Sequence, residues 1–208
     1  ISIEVQDVNG GSAFIDFSLS IEGVNDAPTV ILPTSVVATE DEFTYIEGIE
    51  IDDIDVNQTD GIIEVEIIVE NGVVSLGDLK GLNFLVGSDE NSKHVVFQST
   101  LENAQNALLK LGYTSDKNYY GSDDLSVRVS DLGGSGEELD VLESFSETVI
   151  TVIPVNDTPE VQWYTDKTIL EDEEFTVDIR SLFSDIEDSE LIITYEELPE
   201  GFSYDSTT

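Results

Sequence analysis

The sequence predicts an all-β fold built from β-sandwich repeats, with one short helix in the complete repeat. Short apolar runs alternate with polar residues along much of the 208-residue chain, and a period of two is that of half-buried strands. Clusters of Asn, Asp and Gly separate these runs, as turns between strands require. The segment at residues 24–28 returns at residues 155–159, which indicates a tandem repeat.

The returning segment has the character of a linker between β domains. Each copy ends an alternating run, places an Asn beside an Asp, and stops at a proline that has no N–H for a sheet ladder. The two copies divide the chain into residues 1–24, 25–155 and 156–208. Because the alternation is already under way at Ile1, we expect the closing hairpin of a preceding repeat, then one complete sandwich, then the opening part of a following repeat.

The strands follow from the alternation, taken in chain order. The first hairpin is expected at residues 1–5 and 14–21, and it cannot form a core alone. In the complete repeat, strands are expected at residues 44–46, 63–69, 73–76, 83–86, 94–98, 125–130 and 145–153. Turns are expected at Asp60-Gly61, Asn71-Gly72 and Gly133-Gly134, because Gly and Asn tolerate a positive φ. From residue 160 the third part repeats the same order, with an acidic loop at residues 185–188.

One helix interrupts the strands after residue 98. Ser99 and Glu102 have the spacing of a capping box, and Gly112 could supply a left-handed stop. The apolar positions that share one helical stripe are Leu101, Ala104, Leu108 and Leu111. We therefore expect a short helix over one end or edge of the sandwich.

The charge of the chain limits what it can bind. There are 46 Asp and Glu against 7 Lys and Arg, a formal charge of −39. A surface of this kind repels nucleic acids and anionic membranes and attracts cations. With no Cys, no Met and one His, the ligand atoms left for a metal are oxygens, which favour Ca²⁺ or Mg²⁺; Ca²⁺ accepts mixed ligands from flexible loops. No run approaches the roughly 18 apolar residues of a membrane-spanning helix, so no membrane insertion is expected.

The strand directions bring the recurring acids together at the two ends of the sandwich, because strand ends gather at two poles when strands alternate in direction. The cluster expected at the first junction consists of Asn25, Asp26, Asp53, Asp55 and Asp131. The cluster expected at the second consists of Glu40, Asp123, Asn156, Asp157, Asp185 and Glu187. A single Asn-Asp-x-Pro is explained by a plain turn. Its repetition beside clustered carboxylates, which repel one another unless a divalent cation lies between them, predicts Ca²⁺ at both junctions.

The order of these motifs resembles the cadherin-like tandem repeats of large bacterial surface adhesins of the RTX type. The motifs that carry the resemblance are Glu40-Asp41, Asp53-Ile54-Asp55, Asn71-Gly72, Leu111-Gly112-Tyr113, Tyr120-Gly121-Ser122-Asp123, Val129-Ser130-Asp131 and the linker at residues 155–159. The resemblance implies Greek-key β-sandwiches of the cadherin or immunoglobulin kind, with Ca²⁺ held between successive repeats. It also implies an adhesin secreted to the bacterial cell surface, with neighbouring repeats of the same polypeptide as partners.

Two departures from the family pattern concern the flanking parts. Glu187 stands in the third part where Asp55 stands in the second, and the third part has no Asp-x-Gly loop of its own. In the first part, the loop that begins at Asp7 matches the Asp-x-Gly position only loosely. The metal sites implied for the flanks are therefore less complete than the family pattern.

Other functions have less support in the sequence. Neighbouring carboxylates are the catalytic groups of glycosidases, but these lie on loops without an aromatic-lined cleft between them, so we expect no enzymatic activity. His94 opens a strand and is expected at a surface or an edge. Trp163 and Tyr164 follow the second linker proline, where packing is expected.

The function that the resemblance implies is a spacer of such an adhesin, stiffened by Ca²⁺ at its junctions, and two alternatives stay open. One is a ligand-binding module for a polysaccharide or protein, for which a concave aromatic surface near the helix and near Tyr119 and Tyr120 would be needed. The other is head-to-tail self-association, in which residues 160–208 of one copy pair with residues 1–22 of another.

Overall fold

The computed structural model describes residues 1–21, 23–56, 61–88, 91–133, 140–162, 165–170 and 172–204. The chain divides into two compact units, Ile1–Ile153 and Pro154–Thr208. Strands dominate the regular structure, and the described residues contain a single α-helix, so the predicted all-β fold is confirmed. The predicted three-part division of the chain stays a prediction.

The first unit contains thirteen of the described strands and the helix. The strands are β1 (Ser2–Gln6), β2 (Ser12–Asp16), β3 (Thr29–Ile31), β4 (Val36–Thr39), β5 (Thr44–Ile46), β6 (Glu50–Asp52), β7 (Ile62–Ile68), β8 (Gly72–Ser75), β9 (Asn83–Val86), β10 (His94–Thr100), β11 (Leu111–Ser115), β12 (Gly121–Ser130) and β13 (Glu143–Ile153), with helix α1 (Leu101–Leu108) between β10 and β11.

Two sheets of the first unit enclose one core. The larger sheet has the order β4-β13-β12-β7-β10-β9, the smaller sheet has the order β5-β11-β8, and β3 pairs with β6 separately. Side chains from both sheets and from α1 belong to the same buried cluster, including Phe97 and Val127 from the larger sheet and Ile46 and Tyr113 from the smaller. Most pairs are antiparallel, but β4 runs parallel to β13. The arrangement is a β-sandwich.

Strand β7 shows why the alternation in the sequence was a reliable guide. Ile63, Val65 and Ile67 face the core and are fully buried. Between them, Glu64 and Glu66 face outward and meet Arg128 of β12, whose Nε donates to Glu66 Oε2 at 2.8 Å. This hydrogen bond with Arg128 lowers the pKa of Glu66 below its ordinary value. His94 opens β10 at a half-buried position, with its Nε2 2.8 Å from Glu66 Oε1.

The turn expected at Asn71-Gly72 does not connect two strands of a hairpin. Strands β7 and β8 lie in different sheets, so these two residues form a corner between the layers, and neither has a positive φ. Of the other expected turns, Gly133 has a φ of +68°, whereas Asp60 and Gly134 lie outside the described residues.

The helix is confirmed, but its two ends differ from the expectation. Thr100 is the N-cap, because its Oγ1 accepts from Asn103 N at 3.4 Å, while Ser99 donates to the carbonyl of Thr100. The stripe Leu101, Ala104 and Leu108 is buried as predicted. Leu111 and Gly112 are not helical: they belong to β11, which pairs with both β5 and β8. The central strand of the smaller sheet thus begins where the helix stop was expected.

The first hairpin stands apart from this core. β1 and β2 pair only with each other among the described strands, and every residue in them is exposed. The hairpin was expected from the alternation, and its register pairs Ile3 with Ile15 and Val5 with Ala13.

The second unit has little regular structure among its described residues. It contains β14 (Glu160–Val161), β15 (Phe183–Ser184) and a 3₁₀ turn (Arg180–Leu182). Its larger apolar side chains are mostly exposed, including Val161 and Leu170. The expected packing role of Trp163 and Tyr164 lies outside the described residues.

Candidate metal sites

The first candidate site, named here the first cradle, consists of Asn25, Asp26, Asp53, Asp55 and Asp131 in the first unit. The loop after β6 is folded by Asp53, whose Oδ1 accepts from the backbone N–H groups of Asp55 and Val56, both at 2.9 Å. The same loop holds the linker, because Asp55 Oδ2 accepts from Asp26 N at 2.7 Å. The antiparallel pairing of Thr29 with Asp52 brings the linker and the loop to the same pole.

Asp131 completes the first cradle from the end of β12, where it is fully buried. Its Oδ1 accepts from Gly133 N at 2.8 Å and from Leu142 N at 2.9 Å, across a turn in which Leu132 and Gly133 both have a positive φ. Its Oδ2 accepts from Asn25 Nδ2 at 2.5 Å. Asn25 also donates to the carbonyl of Asp140 at 3.0 Å. The five residues expected at the first junction are thus brought together within one unit.

The second unit repeats this cradle at its own linker. Asp157 N donates to Glu187 Oε2 at 3.0 Å, as Asp26 N donates to Asp55. Asp185 Oδ1 accepts from Glu187 N at 3.1 Å and from Asp188 N at 2.9 Å. In the first cradle, Asp53 Oδ1 likewise accepts from the residues two and three positions after it. The strand pairing beside each linker is also equivalent: Glu160 pairs with Ser184 in the second unit, and Thr29 pairs with Asp52 in the first. We call Asp157, Asp185 and Glu187 the second cradle.

Two oxygens of the second cradle stand out by their burial. Asp157 Oδ2 and Glu187 Oε1 are buried and have no hydrogen-bond partner within the described part of the chain. Burying carboxylate oxygens without a donor or a cation costs free energy. The neighbouring Asn156 turns its amide to its own linker, where Nδ2 donates to the carbonyl of Asp157 at 2.8 Å.

The two remaining expected ligands lie in the first unit, at the pole opposite the first cradle. Glu40 directly follows β4 and is 1% exposed, and its backbone N donates to the carbonyl of Ile153 at 3.0 Å. Asp123 is equally buried near the start of β12, but four donors surround its carboxylate.

The donors to Asp123 show that it organises the corner between the two sheets. Its Oδ1 accepts from Glu70 N and its Oδ2 from Asn71 N, both at 3.0 Å. Tyr113 of the smaller sheet donates its hydroxyl to Asp123 Oδ2 at 2.8 Å. Burial and this carboxylate raise the pKa of the Tyr113 hydroxyl above its ordinary value. Sequence reasoning missed this role, although Asn71-Gly72 and the Tyr after Leu111-Gly112 were both noted as motifs.

The side chains of both cradles are of the chemical types that a hard cation binds. All of them offer carboxylate or amide oxygens, and Ca²⁺ accepts such ligands together with backbone carbonyls. Several carboxylates already have one oxygen engaged by backbone N–H groups, which fixes the direction of the other. Among the described residues, the Lys and Arg side chains that form ion pairs do so with acids outside the cradles: Lys93 pairs with Asp116, and Arg128 pairs with Glu64, Glu66 and Glu143.

Comparison with known proteins gives no family for this chain. No family model matches it, and no curated protein matches it. Among solved structures, an endo-fucoidan hydrolase from glycoside hydrolase family 107 is similar, with 17% identity and a TM-score of 0.31, over 77% of this chain and 20% of that chain. This chain therefore spans about a fifth of that structure's length, and a likeness this low carries no argument about function. None of the described helices is long and apolar enough to cross a membrane.

Proposed function

We propose that this chain is a calcium-stiffened spacer of a cell-surface adhesin, built from cadherin-like repeats. The observation that carries the proposal is the recurrence of one cradle at two linkers, with the same backbone donors and the same acceptor positions. A plain surface turn does not require the same arrangement of carboxylates at both linkers. A cation that binds in both cradles accounts for the repeated arrangement.

Calcium is the cation that the donors and the charge favour. Two or three ions at each cradle would bring about 8 to 12 positive charges to a chain with a formal charge of −39. Such binding would relieve repulsion among the clustered carboxylates. It would also satisfy the buried oxygens of Asp157 and Glu187.

Binding at the cradles would stiffen the chain at its linkers. In each cradle the backbone N–H of a linker Asp already contacts the loop of the repeat that follows it. An ion held by the same loop would restrict the linker further. Neighbouring repeats are then the partners, the extracellular bacterial surface is the location, and no catalysis is required of the chain.

Calcium is expected to stabilise the chain by mass action. If Ca²⁺ is present at about 100 times its Kd, each site adds about 2.7 kcal/mol to the free energy of unfolding, provided that only the folded state binds. Asp55→Asn and Glu187→Gln each weaken one cradle and should lower the calorimetric stoichiometry or affinity. The measurements are calorimetric titration with CaCl₂ and thermal melts in millimolar Ca²⁺ or in EDTA.

The matched control is Asp124→Asn, because Asp124 is exposed at the opposite pole from the first cradle. This variant removes the same charge and should bind Ca²⁺ as the original chain does. Superimposable melting curves and scattering profiles in Ca²⁺ and in EDTA would reject the proposal.

A second candidate function is the binding of a neutral polysaccharide. Phe43 and Tyr45 are both more than half exposed and meet edge to face, with ring centroids 4.9 Å apart. A shallow depression of about 180 Å³ lies beside them, lined by Tyr45, Glu47, Leu109 and Lys110 at the end of α1. Exposed aromatic faces with nearby charged groups suit sugar rings and their hydroxyls, and the charge of the chain disfavours polyanions.

Glycan binding should depend on Tyr45. Tyr45→Ala is expected to reduce retention on neutral glycan surfaces at least tenfold, since a stacked aromatic contributes about 1.4 kcal/mol or more. Tyr120→Ala is the control, because Tyr120 is also exposed but lies outside this depression. Equal retention of both variants, or no retention of the original chain on any neutral glycan, would exclude this function.

A further inference from the structure

The strands of the smaller sheet carry no charged residue. None of the residues of β5, β8 and β11 is an Asp, Glu, Lys or Arg, although these four types make up 25% of the chain. The outward face of the larger sheet, by contrast, carries charged side chains such as Glu64, Arg128 and Glu147. The smaller sheet is therefore a neutral surface on a chain with a formal charge of −39.

The register of the strands shows which residues share the outer face of this sheet. Tyr45 pairs with Gly112, and Gly112 pairs with Ser75, so these three residues lie in one row across the sheet. Thr114 pairs with Val73 in a second row. Because successive side chains of a strand point to opposite faces, both rows face away from the core.

Gly112 allows an aromatic ring to lie against this outer face. A Cβ at Gly112 would overlap the ring of Phe43, so the ring fills the space that a larger residue would occupy. Phe43 and Tyr45 are both more than half exposed. We call the residues of this face the neutral platform, and they are Phe43, Tyr45, Val73, Ser75, Gly112 and Thr114.

The neutral platform offers both kinds of contact that a sugar makes. A sugar ring combines apolar C–H faces with hydroxyl groups, so it binds through aromatic stacking together with hydrogen bonds. Phe43 and Tyr45 supply exposed rings. Ser75 and Thr114 are half-buried, and each supplies a hydroxyl that donates and accepts.

The size of the neutral platform suits a small ligand rather than a protein. Three strands about 4.8 Å apart, with about four residues of about 3.3 Å each, give a face of roughly 10 by 13 Å, or ~130 Å². A stable protein interface buries about 800 Å² on each partner. A second copy of the chain is also repelled by its own charge of −39. A short oligosaccharide meets neither difficulty.

We propose that the neutral platform binds a short run of sugar rings within an uncharged polysaccharide. Tyr45 stacks on one ring, and the hydroxyls of Ser75 and Thr114 hydrogen-bond to the next. This inference rests on the second candidate function, and it extends the site from the depression beside Tyr45 across the whole smaller sheet. The absence of charge on these strands admits a neutral glycan, whereas the charge of the chain repels an anionic one.

The test is calorimetric titration of the whole chain with soluble, uncharged oligosaccharides of glucose, galactose, mannose and N-acetylglucosamine, each from one to six rings long. Affinity for at least one series should rise up to about three rings and then level off, because the platform is only roughly 13 Å long. The affinity should be equal in 0.05 M and 0.5 M NaCl, since no charged group takes part. An oligogalacturonate of the same lengths, which is anionic, should not bind.

Two hydroxyl deletions then locate the ligand on the platform. Thr114→Val and Ser75→Ala should each weaken binding about fivefold, because each removes one hydrogen bond to the sugar. Ser126→Ala is the matched control, since Ser126 is likewise half-buried but faces outward from the larger sheet. This control should bind as the original chain does. Circular dichroism melts check that each variant is folded.

The outcomes separate this inference from the functions on which it rests. Loss of binding in Tyr45→Ala, with Thr114→Val and Ser75→Ala unchanged, would leave glycan binding at the depression but overturn the platform. Equal weakening by Ser126→Ala, tighter binding of the anionic oligomer, or no binding of any neutral oligosaccharide would also overturn it. No cradle residue is altered, so titrations in EDTA should give the same affinities whether or not calcium binds elsewhere.

Discussion

Asp123→Ala is expected to lower the free energy of unfolding of the first unit by about 3–5 kcal/mol. The buried carboxylate accepts four hydrogen bonds that join β12, the corner after β7 and the smaller sheet. Alanine leaves the N–H groups of Glu70 and Asn71 without their acceptor, and it also leaves the hydroxyl of Tyr113 without its shorter hydrogen bond. Urea unfolding followed by circular dichroism measures the change.

Two further variants separate this structural role from metal binding. Asp124→Ala removes the exposed neighbouring carboxylate and should change stability by less than about 0.5 kcal/mol. Tyr113→Phe removes one of the four donors and should cost about 1–2 kcal/mol. The loss in Asp123→Ala should be the same in Ca²⁺ and in EDTA. A loss that appears only in Ca²⁺ would instead make Asp123 a metal ligand, as the sequence alone suggested.

Gly72→Ala is expected to destabilise the same corner by about 2–3 kcal/mol, because the core has no room for one more methyl group. A Cβ at Gly72 would lie 2.6 Å from Cζ of the buried Tyr113 and 2.7 Å from the backbone oxygen of Thr114. Neither neighbour can withdraw, since the ring is fixed by Asp123 and the carbonyl belongs to β11. Urea unfolding at one pH measures the difference.

Gly112→Ala is the matched control for this prediction. A Cβ there would also overlap an aromatic ring, that of Phe43, but this ring is 52% exposed and can rotate into solvent. The expected cost is below about 1 kcal/mol, and reduced freedom of the unfolded chain offsets part of it. Equal losses of stability in the two glycine variants would mean that the lack of space around Gly72 does not cause the destabilisation.

The long strands of the first unit were predicted from their alternation. β7, β10, β12 and β13 were all expected, because inward residues such as Val65 and Val127 alternate with polar ones over many positions. In the first unit, the strands that were missed are β3, β4, β6 and β11. Three of them have three or four residues and so show little alternation, although β5, β8 and β9 are as short and were predicted. β11 was missed because Leu111 also continues the helical stripe of α1.

The grouping of the first cradle could be predicted from the sequence, whereas the structural role of Asp123 could not. The grouping of Asn25, Asp26, Asp53, Asp55 and Asp131 follows from strand directions, which the sequence pattern already specifies. The role of Asp123 could not be predicted, because it depends on which sheet receives β8. An Asn-Gly pair between two apolar runs indicates a hairpin in most contexts. Here the corner is stabilised by a carboxylate and a tyrosine from strands far away in sequence.

The parallel pairing of β4 with β13 has a mechanical consequence for the first unit. The four residues of β4 lie beside Ile150–Ile153 in one direction, so tension applied between the start of β4 and the end of β13 slides the two strands past each other. All hydrogen bonds of the ladder then resist at once in shear, rather than opening one after another. Unfolding under force is governed by the unfolding rate, and this geometry keeps that rate low when the chain is pulled from both ends.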